Sequence, residues 1–173
     1  SLRHDDDDWR GKAIVIAKPD SAFAKDEKDK FVIDQFVMRG GKVLWLIDPV
    51  YATMDSLRMK ENSVALANDF NLDDMLFNYG VRLNPTLVVD INSLPIPVVV
   101  DQKGNQKLIP WLFFPVIMPG ADNPVVRNLN AIKTEFVSNI DTVETPGVRK
   151  TILLTTSRYS RVLNVPVIVS LRF

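Results

Sequence analysis

The chain has 173 residues, no cysteine and one histidine, His4. The first absence excludes disulfides, thiolate metal sites and a cysteine nucleophile. It leaves the redox compartment open, because many proteins of oxidising compartments also lack cysteine. The second absence leaves imidazole acid–base chemistry to a residue close to the amino terminus, which argues against a Ser-His-Asp triad. No Gly-x-Ser-x-Gly elbow, phosphate-binding glycine loop or His-Glu-x-x-His motif occurs. Gly40-Gly41 is no substitute for a phosphate loop, since it leads into a strand pattern and not from a strand into a helix.

Excess charge is missing too. Lys plus Arg and Asp plus Glu each total 21, a formal charge of zero, so composition offers no electrostatic footprint for nucleic acid or an anionic membrane surface. Long apolar runs are also absent. Residues 108–119 form the most apolar stretch, but Pro110 and Pro115 interrupt it, and it falls short of the roughly 20 residues that cross a bilayer. Asp5 to Asp8 occupy the place where a signal peptide would be apolar. The chain begins without Met and ends on an apolar run that reads as a strand still in progress. We therefore expect a soluble piece of a longer protein, with any anchors lying outside it.

Hydrophobic residues make up 46% of the chain, enough for a sizeable core. The expected organisation is a flexible acidic segment over residues 1–10 and a single α/β domain over 11–173. Residues 12–17 read as a buried strand and 25–39 as a helix with Val32, Ile33, Phe36 and Val37 at helical spacing. Asp26 and Lys30 stand four apart on its expected solvent face. Gly40 or Gly41 stops the helix and residues 43–47 form a second strand, which implies a right-handed crossover and a parallel pair.

Beyond this unit, residues 51–69 read as a helical turn or a mobile loop. Asn71 is expected to cap a helix carrying Leu72, Met75, Leu76 and Tyr79 on one face, with Gly80 ending it. An extended segment over 81–90, turned at Asn84-Pro85, follows. Residues 95–100 and 107–109 suggest a hairpin with a polar tip. Residues 123–129 suggest a short helix, and 133–140 and 151–155 later strands.

Ligands in parallel α/β sheets collect beyond the carboxyl ends of the strands. Lys18 and Asp48 both follow parallel-strand candidates and, with Asp90, are the candidate crevice residues. The plainer reading is that Asp48 bonds turn amides and Lys18 is simply exposed. Trp111, Phe113 and Phe114, set among prolines, are a candidate partner-binding edge, because proline is poorly tolerated in central strands; folding onto their own core is the equal alternative. Asp5 to Asp8 with His4 read as a solvated terminus and not a cation site, since real sites draw ligands from a shaped loop. Arg158, Tyr159 and Arg161 read as a solvated basic loop.

Four segments in order carry a family resemblance: Ile16-Ala17-Lys18-Pro19, residues 31–49 (FVIDQFVMRGGKVLWLIDP), residues 72–82 (LDDMLFNYGVR) and Leu153-Leu154-Thr155-Thr156-Ser157-Arg158-Tyr159-Ser160. Together they resemble the GldG-type auxiliary component of gliding-motility ABC transporters. The resemblance implies a GIFT-type domain, with a three-layer, mostly parallel α/β sheet like that of flavodoxins and class I glutamine amidotransferases, to which the hairpin of the second half is added. It further implies a Bacteroidota protein held at the inner membrane, with its soluble portion on the periplasmic side. The implied partners are a permease subunit and, through it, a cytoplasmic ATPase; homo-oligomerisation is left open. Amidotransferases need Cys and His, so the fold would serve here as a scaffold. No catalytic residue, metal or cofactor is carried over. The expectation is a non-enzymatic binding module. Its alternatives are a metal-dependent hydrolase or transferase using Asp48 and Asp90, and a purely structural assembly domain.

Overall fold

The computed structural model describes residues 11–60, 62–99, 103–119 and 123–171; the acidic run Asp5 to Asp8 lies outside them. Strand β1, Ala13–Ala17, helix α1, Lys28–Met38, and strand β2, Lys42–Leu46, form the expected unit. The strands pair in parallel from Ala13 opposite Lys42 to Ala17 opposite Leu46. Gly40 (φ 93°) takes the left-handed turn that ends α1. A Cβ on Gly41 would run into the Phe36 ring, so the second glycine is there for close approach. The helix begins three residues later than its apolar spacing suggests. Asp26 is therefore outside it, and the expected Asp26–Lys30 pairing is replaced: Lys28 pairs with Asp26 at 3.0 Å, and Lys30, only 7% exposed, pairs with Glu27 at 2.9 Å.

The stretch read as a helical turn or loop is mostly helix and strand among its described residues. It contains β3, Val50–Tyr51, α2, Met54–Lys60, and β4, Asn62–Ala67. Thr53 Oγ1 accepts from the Ser56 amide at 3.3 Å ahead of α2, and Leu57 is buried on the helix. Helix α3, Asp73–Asn78, buries Leu72, Met75 and Leu76 as their spacing predicts. Asn71 is not its cap. It sits at φ 57° and its side-chain amide donates to the Phe23 carbonyl at 3.2 Å, tying two distant loops together.

The remainder is strand: β5, Val81–Leu83; β6, Thr86–Val89; β7, Ser93–Val99; β8, Gln106–Pro119; β9, Ile132–Lys133; β10, Ile140–Thr142; β11, Leu154–Thr155; β12, Arg161–Asn164; β13, Val167–Ser170. The hairpin is realised as β7 against β8. The expected helix at 123–129 is a run of hydrogen-bonded turns, with the Val126 and Arg127 amides both donating to the Asn123 carbonyl at 3.0 and 2.9 Å. The expected strand over 133–140 breaks at Phe136, which is left-handed (φ 52°) and bonds through its N–H to the Phe113 carbonyl at 3.0 Å.

The expected three-layer, mostly parallel sheet of flavodoxin or amidotransferase type is corrected. The protein is mostly β, 14% helical and 40% strand, built from several small sheets. After β2 every pairing among the described residues is antiparallel: β3 and β13 on β4, β12 on β6, β10 on β5, and β7, β9 and β11 on β8. A parallel pair needs a crossover of about a dozen residues or more, usually helical. Downstream of β2 the one helix between successive paired strands is α2, of 7 residues, and it joins the antiparallel pair β3 and β4.

Two apolar clusters result. The larger gathers Val50, Leu57, Leu87, Trp111, Phe114 and Val169 between the small sheets. The smaller packs Phe70, Leu72, Met75 and Leu76 against Phe23, Ile33 and Trp45, and so binds α3 to the parallel unit.

Candidate functional site

Because β1 and β2 run parallel and in register, both leave the sheet at the same edge, and this places Lys18 beside Asp48. The Lys18 amide donates to the Leu46 carbonyl at 2.8 Å, extending the ladder by one bond. Lys18 then turns left-handed (φ 45°) and its Nζ lies 3.3 Å from Asp48 Oδ2. The side chains are 80% and 54% exposed, so the pair is held in water and contributes little to stability. It offers a partner one cation and one carboxylate at the carboxyl edge of a parallel pair. Beyond the same edge lies a small cleft of about 110 Å³, lined by Ile47 and Pro49, the chain neighbours of Asp48, and by Asn68, Asp69, Phe70 and Leu72.

Asp90 belongs to a different arrangement. It is 1% exposed, and its carboxylate accepts from the Asn92 amide at 2.9 Å, the Ser157 hydroxyl at 2.6 Å and the Ser157 amide at 2.8 Å. Burial alone would raise its pKa, but the Ser157 hydroxyl and the amides of Asn92, Ser157 and Ile91 together hold it below the ordinary carboxylate value. The Ser157 hydroxyl in turn accepts from the Tyr159 amide at 3.1 Å. Asp90 is thus a buried tie between the β6–β7 turn and the loop before β12. The Asp90-x-Asn92 turn was readable as an Asx turn, whereas its union with Ser157, 67 residues away, had no local signal.

The aromatic candidates lie on β8, which is flanked by β7 and β11 and also pairs with β9. Trp111 and Phe114 are buried and pack edge to face, centroids 5.0 Å apart, while Phe113 is partly buried against the same cluster. Phe136 completes the group, 5.7 Å from Trp111 and 5.5 Å from Phe114. The Arg158 guanidinium lies over the Tyr159 ring and donates to its hydroxyl at 2.6 Å. A polar pair that sequence reading did not single out is Tyr79, whose hydroxyl donates to Asp34 Oδ1 at 2.6 Å and joins α1 to the end of α3. Burial, and then the bond to and charge of Asp34, push the Tyr79 pKa up to about 12.

Fold and site together describe a mostly β domain with an appended parallel unit, whose exposed polar chemistry at the sheet edge is one ion pair. A family model described as an ABC-type uncharacterized transport system, auxiliary in kind, matches residues 4–172. The chain belongs to that family. No curated protein and no solved structure matches it.

Proposed function

We propose that this domain is a non-enzymatic auxiliary of an ABC-type transport system that works by contact, outside the cytoplasm, with a permease subunit coupled to a separate ATPase. The observation that carries the reading is the family match over residues 4–172; the GldG-type resemblance supports the finer terms of gliding motility, periplasmic location and membrane attachment through the parent protein. Of the two carboxylates of the enzyme alternative, Asp90 is buried and already engaged by Ser157 and Asn92, which favours binding over metal-assisted chemistry that needs both. The ATPase would supply the work, and this domain would pass on or receive a conformational change through its surface.

The test is crosslinking in intact cells, with a photoreactive residue at the exposed position 17, beside the Lys18–Asp48 pair, of the full-length parent protein, followed by membrane purification and mass spectrometry. Recovery of a multi-span permease and its ATPase is the expected result. Recovery of neither, with the parent protein well represented, overturns the reading.

A further inference from the structure

We draw no further inference here: the strongest candidate, the open apolar face of the β1–β2 pair around Val15, Leu44 and Leu46, has nothing in the structure to show what covers it, and the cleft between α1 and α3 is lined by carboxylates whose one buried neighbouring cation, Lys30, is already paired with Glu27.

Discussion

The parallel unit and the β-rich remainder differ in how they hold themselves together. From residue 11 to residue 48 the one buried residue is Lys30, still 7% exposed, a cation tied to Glu27. From Val50 onward Leu57, Leu87 and Val169 are almost wholly enclosed, and four aromatic rings meet around Trp111. A strand–helix–strand pattern thus sets local structure without guaranteeing burial. In this protein the enclosed core belongs to antiparallel strands that close by long-range pairing.

The sharpest way to break that contrast is to cut one large side chain from each region. Trp111→Ala removes the centre of the aromatic group and should cost about 3–5 kcal/mol in urea unfolding. Leu44→Ala, on the open sheet face, should cost less than about 1 kcal/mol. Equal losses would mean that the parallel unit is enclosed in solution and that the two regions do not differ as described.

Next in size is the buried carboxylate. Asp90→Ala strands the Asn92 and Ser157 amides and the Ser157 hydroxyl, and should destabilise by about 2–4 kcal/mol. Because the folded pKa lies below the ordinary value, the contribution is complete above the unfolded carboxylate range, near pH 4, and is lost as pH falls through the folded value. The gap between wild type and Asp90→Asn should therefore narrow in strong acid. A gap that stayed constant with pH would assign the loss to shape alone.

Tyr79 joins the two regions by donating to Asp34, and its effect should be smaller. Tyr79→Phe should cost about 1.5–3 kcal/mol, the worth of a hydrogen bond to a charged acceptor. The raised pKa puts its signature at the opposite end of the scale: the contribution is complete below about pH 10, the unfolded value, and is lost as pH rises toward about 12. Following tyrosinate absorbance alongside unfolding tests this. Ionisation of every tyrosine near pH 10 would contradict the Asp34 contact.

What the sequence made legible follows the same division. The β1–α1–β2 order, the glycine stop, the buried face of α3 and the hairpin rest on spacings within a few residues of one another, and all are present. Extrapolating that unit into a parallel three-layer sheet failed because sheet type is set by partners far along the chain: β13 returns to β4, β12 to β6 and β10 to β5. The Lys18–Asp48 meeting was legible because strand register alone produces it. Proline content suggested an edge for Trp111 to Phe114, yet β8 tolerates Pro110 and Pro115 with neighbours on both sides, its ladder with β7 shifting register between Ser93 and Pro95. That irregularity has no signature in the local pattern.

The smallest expected effect is also the one that bears most on the site. Asp48→Ala removes an exposed partner of Lys18, and exposed pairs of this kind contribute within about 0–1 kcal/mol. Unfolding should shift by less than about 0.5 kcal/mol. If Asp48 serves a contact, the variant should keep its stability and lose crosslinking to the transport partner. A large loss of stability would instead mean that Asp48 braces the turn between β2 and β3, and the ion pair at the sheet edge would then be part of the fold and not of its function.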